Sequence, residues 1–113
     1  KLLFHDPAKF QMHPAKLSDE QLGIMVRNRE TLALLAWEPY MHNPKLPHRL
    51  QRVKSPTLFI RGESDGVVPA AYMAGYAKLI AGAEILTIPK AGHGPQVEQP
   101  EAFTAAVLGF LKR

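Results

Sequence analysis

The chain has 113 residues, of which 46% are hydrophobic and 21% are charged, a composition typical of a globular protein. It contains no cysteine, which excludes disulfide bonds, thiolate metal sites and a cysteine nucleophile. The net charge is +4, but the basic residues are spread along the chain. No aromatic side chains are interleaved with their one cluster, Lys45, Arg49, Arg52 and Lys54, to stack on bases, so we expect no nucleic-acid binding. No apolar run approaches the roughly 20 residues that a membrane helix needs. We therefore expect no membrane association. Residues 1–10 hold a charge, a histidine and a proline and do not resemble a secretory signal, and we expect a cytoplasmic location.

The first part of the chain is predicted to be mainly helical. Residues 1–17 contain prolines and histidines without clear periodicity, which indicates loops or short turns. Ser18 and Gln21 are spaced for a capping box, in which the Ser18 hydroxyl accepts from the helix backbone and the Gln21 side chain reaches back. The helix that begins there is predicted to run to about Trp37.

The second half of this helix, Leu32 to Trp37, is apolar nearly all round, which predicts burial on more than one side. Prolines follow it and end it. Residues 46–53 then suggest one more short helical stretch.

The pattern changes at Ser55, where alternation of strands and helices begins. Residues 56–62 are a short apolar run bounded by proline and glycine, which predicts a fully buried strand. A helix is expected to begin near Pro69, and residues 84–88 form a second strand. Together they make a strand–helix–strand unit of the length that a parallel crossover needs. A last helix is predicted over residues 100–111.

Polar loops follow both predicted strands, and each loop carries one residue suited to proton transfer. Asp65 lies after the first strand and His93, flanked by glycines, after the second. Loops at the carboxyl ends of parallel strands open into the same crevice, so we expect the Asp65 carboxylate near His93 Nδ1, at roughly 2.6–3.2 Å. A carboxylate so placed selects the imidazole tautomer and stabilises the imidazolium formed during proton transfer.

The back part of the chain, residues 55–113, resembles the C-terminal portion of the α/β-hydrolase superfamily. The matching stretches are Pro56-Thr57-Leu58 at the start of a strand, Gly62-Glu63-Ser64-Asp65 with Val68-Pro69, and Ala91-Gly92-His93 followed by Glu98-Gln99-Pro100-Glu101-Ala102-Phe103. The resemblance implies an α/β fold with two parallel strands, a crossover helix and a terminal helix. It also implies that Asp65 is the triad acid and His93 the general base.

The front part, residues 1–54, is similar to a helical cap segment and its return to the core. This implies a division of the chain between residues 54 and 55. It also makes Trp37 and His42 candidates for substrate contact. Val68, in the loop that carries Asp65, is a third candidate. We predict no metal site and no cofactor, because the remaining histidines lack metal-ligand spacing.

The family's nucleophile is missing from the sequence pattern. In the superfamily the nucleophile sits on a strand-to-helix elbow upstream of the acid, and no such elbow precedes Asp65. Residues 62–66 do match G-x-S-x-G, but a nucleophile elbow runs directly into a helix, whereas residues 66–68 intervene before Pro69. We therefore interpret Ser64 as a turn-stabilising hydroxyl.

These features predict the C-terminal segment of a hydrolase that acts on an ester, lactone or similar bond of a small substrate. The segment supplies acid and base and is expected to be inactive alone, because the nucleophile they would activate is absent. Two alternatives stay open. The parent could use an Asp nucleophile, as epoxide hydrolases and dehalogenases do. The chain could instead be a non-catalytic association fragment that binds the missing N-terminal half or a second copy, because its strands leave an unpaired edge.

Overall fold

A computed structural model describes residues 2–38, 41 and 43–113. The chain divides into two compact units: Lys1–Gln11 together with Pro47–Arg113, and Met12–Leu46. None of the helices in the described residues is long and apolar enough to span a bilayer.

The smaller unit, Met12–Leu46, is built on one long helix. A single 3-10 turn, Pro14–Lys16, precedes α2, Asp19–Ala36. The capping box is present: the Ser18 hydroxyl accepts from Gln21 N–H at 3.3 Å, and Gln21 Oε1 accepts from Ser18 N–H at 2.9 Å. Acidic residues in the first turn favour the positive end of the helix dipole. The predicted start and end of this helix are confirmed to within one residue.

The predicted burial of the second half of α2 is wrong for this chain. The helix has no buried residue, and Leu32, Leu34 and Leu35 of its second half are exposed. An apolar surface of this kind is ordinarily covered by another element. The apolar pattern of the second half of α2 therefore does not correspond to burial in the described residues.

The larger unit contains a parallel strand–helix–strand motif. Strand β1 is Leu58–Gly62, helix α4 is Ala70–Ala77 and strand β2 is Glu84–Ile88. The two strands pair in parallel, with Leu58 opposite Glu84 and Gly62 opposite Ile88. The α/β fold with a parallel crossover is thus confirmed, although Pro69 is the N-cap of α4 and not its first residue.

Four further helices complete the described elements. Helices α1, Pro7–Phe10, and α5, Pro95–Glu98, are short and were not predicted. Helix α3 is Leu46–Leu50, shorter than the predicted stretch. Helix α6 is Pro100–Leu111, as predicted, and begins with a proline in its first turn.

The core of the larger unit is small and lies where α4, β2 and the loop after β2 meet. Its buried apolar members are Ala77, Ile80, Ile88 and Ala91. Strand β1 is half-buried up to Gly62, and β2 is exposed up to Ile88. The prediction of a fully buried first strand is therefore wrong within this chain. Parallel strands are normally covered on both faces by neighbouring elements, and two strands with few helices cannot provide that cover.

The compact units do not coincide with the predicted division after residue 54. Residues 2–11 and 47–54 belong to the unit that contains the strands. Backbone hydrogen bonds tie residues 2–11 to this unit: Gly66 N–H donates to Leu2 O at 3.1 Å, and His93 N–H donates to Leu3 O at 2.7 Å.

Candidate active site

Asp65 and His93 come together at the carboxyl edge of the two-stranded sheet. Asp65 follows β1 and His93 follows β2, and both loops leave the same edge because the strands are parallel and in register at their ends. His93 Nδ1 lies 3.1 Å from Asp65 Oδ2 and 3.2 Å from Oδ1. Both distances fall within the range expected from the sequence.

The Asp65 carboxylate is fixed by its own loop. Its side chain is only 5% exposed, and Oδ1 accepts the backbone N–H of Val67 at 2.8 Å and of Val68 at 3.0 Å. Burial alone would raise the pKa of the Asp65 carboxyl, but the hydrogen bonds from Val68, His93 and Val67 outweigh it, and the net effect lowers the pKa from its ordinary value of 3.8. Asp65 is therefore held as a carboxylate pointing at the imidazole.

His93 combines a fixed backbone with an accessible ring. Its backbone N–H donates to Leu3 O at 2.7 Å, while its side chain is 44% exposed. A carboxylate accepts hydrogen bonds and donates none, so the contact with Asp65 favours a proton on Nδ1 of the neutral ring. The second nitrogen, Nε2, then carries a lone pair that can accept a proton.

Two glycines allow the histidine loop to approach β1 and the N-terminal segment. A Cβ on Gly62 would overlap the carbonyl oxygens of Ala91 and Gly92, and a Cβ on Gly92 would overlap the Leu3 carbonyl oxygen. All the overlapping atoms belong to backbone, which cannot rotate away as a side chain would. Glycine at position 62 therefore permits the close approach of the His93 loop to β1, and glycine at position 92 permits the close approach of Leu3 and Phe4 to the same loop.

Glu98 is a buried carboxylate beside this site to which the sequence interpretation gave no role. Its Oε1 accepts from the backbone N–H of His5 at 2.7 Å, and its Oε2 accepts from the backbone N–H of Gly92. The available sequence signal was weak: a charged residue between Val97 and Pro100, within a stretch already assigned to the family motif.

Ser64, the serine of the G-x-S-x-G match, lies next to Asp65 but makes other contacts. Its hydroxyl lies 2.8 Å from His5 Nδ1, and its backbone N–H donates to Ala91 O at 2.9 Å. The hydroxyl thus contacts the N-terminal segment, and the backbone joins the two loops.

The three residues predicted to contact substrate have different positions. Trp37 is the C-cap of α2 in the smaller unit and is 71% exposed. His42 lies outside the described residues. Val68 donates its N–H to Asp65, and its side chain lines a small apolar pocket of about 170 Å³. The residues around that pocket come from β1, the acid loop and α4: Phe59, Val68, Tyr72, Met73 and Tyr76.

A parallel strand–helix–strand unit with an acid after one strand and a histidine after the next is the arrangement found in the C-terminal part of α/β-hydrolases. Residues 25–113 match the α/β-hydrolase family described as TAP-like protein. The chain therefore belongs to this family.

Similar proteins are hydrolases of several kinds. A 2-hydroxy-6-oxo-6-(2'-aminophenyl)hexa-2,4-dienoic acid hydrolase of Metapseudomonas resinovorans is 37% identical over 67 residues, 59% of this chain and 23% of that protein. A thermophilic esterase from Thermogutta terrifontis has a TM-score of 0.58 at 35% identity, over 61% of this chain and 25% of its own. A serine hydrolase involved in carbazole degradation has a TM-score of 0.66 at 28% identity, over 84% of this chain and 35% of its own.

The chain spans only about a quarter to a third of the length of these relatives. Within the described residues, no three His, Asp or Glu side chains are grouped so as to hold a metal ion.

Proposed function

We propose that this chain supplies the acid, Asp65, and the general base, His93, of a hydrolase that cleaves an ester, lactone or similar bond of a small substrate. The observation that carries the proposal is the pair of contacts from His93 Nδ1 to the Asp65 carboxylate, 3.1 and 3.2 Å long. Burial of Asp65 and exposure of His93 support it, because the acid must stay oriented while the base must reach its reaction partner.

In the proposed reaction, His93 Nε2 takes the proton of a hydroxyl nucleophile as its oxygen forms a bond to the substrate carbonyl carbon. The positive charge that develops on the ring is stabilised by the Asp65 carboxylate. The imidazolium then returns the proton to the leaving oxygen as the carbon–oxygen bond breaks. Water releases the acyl group in a second round of the same proton transfers.

The nucleophile and oxyanion hole of this proposal lie in a longer protein that contains the segment. A serine is favoured over an aspartate, because the similar structures include a serine hydrolase and an esterase. An aspartate nucleophile would change the role of His93: it would activate the water that attacks the covalent intermediate.

The exposed second strand supports a second part of the proposal, a partner that completes the sheet. Strand β2 is exposed from Glu84 to Thr87, whereas strands of parallel sheets are usually covered on both faces. The favoured partner is the N-terminal remainder of a hydrolase core, since the relatives are three to four times longer than the matched segment. A second copy of the chain is the alternative, and it would make the segment an association fragment.

The test is hydrolysis of p-nitrophenyl acetate by the 113-residue chain and by a longer protein that contains it. For the longer protein we expect His93→Ala to lower kcat by about 10²–10⁴-fold, as loss of a general base does. The 113-residue chain should give the same rate as its own His93→Ala variant.

Two results would contradict the proposal. Steady turnover by the 113-residue chain that disappears in His93→Ala would mean that the chain carries its own nucleophile, and Ser64→Ala would test the obvious candidate. A longer protein whose kcat is unchanged by His93→Ala would remove the base assignment. Light scattering decides the partner: a dimer of the 113-residue chain that persists in the longer protein would favour a second copy.

A further inference from the structure

Glu98 stands out because its carboxylate is buried and both of its oxygens accept hydrogen bonds from backbone N–H groups. The residue is 6% exposed and ends α5. Its carboxylate accepts three backbone N–H groups: those of His5 at 2.7 Å and Asp6 at 3.3 Å on Oε1, and that of Gly92 on Oε2. A buried carboxylate is costly without partners, and hydrogen bonds to an ionised acceptor are stronger than neutral ones. Glu98 and its donors therefore hold one another in place.

Of the three backbone donors, Gly92 matters most for the candidate active site, because His93 is the next residue in the chain. The peptide group before the Gly92 Cα is held by Glu98, and the one after it is held by the His93 N–H bond to Leu3 O at 2.7 Å. Each peptide group is planar. Anchoring both of them fixes the backbone from which the His93 side chain projects, although glycine itself has wide conformational freedom.

We propose that Glu98 is a positioning residue for the histidine: it fixes the Gly92 backbone and thereby aims the His93 imidazole at Asp65. The inference rests on the proposed function in one respect, since it assigns Glu98 a part in aligning the proposed base. It does not act on substrate, because its two oxygens are already engaged by the backbone.

The chemistry of the side chain makes a sharp variant available. A carboxylate presents acceptors on both oxygens, whereas a glutamine amide presents one acceptor and one donor group of nearly the same size. In Glu98→Gln the amide oxygen keeps two hydrogen bonds if it faces His5 and Asp6 and only one if it faces Gly92, so we expect the NH₂ group to face Gly92 N–H. Gly92 N–H therefore loses its acceptor without a change in packing volume. Glu101→Gln is the matched control, because Glu101 is exposed in the first turn of α6 and the substitution removes the same charge.

The first readout needs no catalysis. In ¹⁵N-resolved NMR of the 113-residue chain, we expect exchange of the His93 Nδ1 proton with water to accelerate roughly 10-fold or more in Glu98→Gln, as loss of a charge-assisted hydrogen bond implies. Glu101→Gln should leave it unchanged. Amide protection of β1, Leu58–Gly62, measured on the same samples, reports whether the fold persists.

The second readout uses a longer protein that contains the segment. There we expect Glu98→Gln to lower kcat by about 10- to 100-fold with KM little changed, as a displaced catalytic group does. An unaltered Nδ1 proton and unaltered kcat in folded Glu98→Gln would overturn the inference. Hydrolysis by the longer protein could prove independent of His93 while Glu98→Gln still accelerates Nδ1 exchange. That result would count against the proposed function and would leave the positioning role of Glu98 intact.

Glu98→Asp keeps the inference testable if Glu98→Gln does not fold. The aspartate retains the charge and both acceptors but is one methylene shorter, so we expect a folded chain with partly accelerated Nδ1 exchange. Collapse of β1 protection in both variants would mean that Glu98 only supports the fold, and the positioning role would be rejected.

Discussion

Replacement of Gly62 by alanine should destabilise the chain strongly, although it adds a single methyl group. The added Cβ would lie 2.6 Å from the Ala91 carbonyl carbon and closer still to the Ala91 and Gly92 oxygens, whereas non-bonded carbon atoms are best separated by about 3.5–4.0 Å. The β2 loop would have to move by roughly 1 Å. Overpacking usually costs about 1–3 kcal/mol, and we expect about 3 kcal/mol because every neighbour is backbone.

Gly75→Ala provides the matched control, with the opposite sign. A Cβ at Gly75 would meet nothing within 4 Å, and the residue lies inside α4, where alanine is favoured over glycine by about 0.5–1 kcal/mol. Urea denaturation of the two variants of the 113-residue chain measures the difference in their free energies of unfolding, provided that the slope m is the same for both. A free energy of unfolding of Gly62→Ala within ~0.5 kcal/mol of that of the unsubstituted chain, a difference typical of neutral surface changes, would refute the close approach of the two loops.

Two further predictions concern the Asp65 carboxylate and Ser18, the N-cap residue of α2. Because the pKa of Asp65 is lowered in the folded chain, its contribution to the free energy of unfolding is fully present above its ordinary value of 3.8 and is lost as the pH falls through the folded value. Asp65→Asn should flatten this acid dependence in urea titrations at a series of pH values, and an unchanged slope would contradict the carboxylate's hydrogen bonds. Ser18→Ala should cost about 1 kcal/mol of helix stability, seen as earlier loss of far-ultraviolet dichroism. Ser55→Ala, outside any helix, should not.

Local patterns were sufficient to predict most of the helices and strands, among them the two strands that precede Asp65 and His93. The capping box at Ser18 and Gln21, the second strand and the terminal helix each depend on residues close in sequence. The meeting of Asp65 and His93 was also predictable, because a parallel crossover brings both loops to one edge whatever the details of packing.

The features that escaped prediction depend on contacts between residues that are far apart in sequence, or on how much of an element its neighbours cover. The Glu98 carboxylate is bound by His5, 93 positions away in sequence, and no periodic pattern signals such a contact. The apolar runs in α2 and β1 predicted burial, but α2 has no buried residue and β1 is half-buried up to Gly62. An apolar run shows that an element could be covered by others, and it does not show that the covering surface is present.

The tautomer of His93 tests the central claim most directly. ¹⁵N–¹H NMR of the neutral ring in the 113-residue chain should find the proton on Nδ1, facing the Asp65 carboxylate, with Nε2 unprotonated and able to act as a base. In Asp65→Asn the amide can donate to Nδ1, and the proton should move to Nε2. A ring that carries its proton on Nε2 in the parent chain and does not respond to Asp65→Asn would contradict the assignment of these two residues as acid and base.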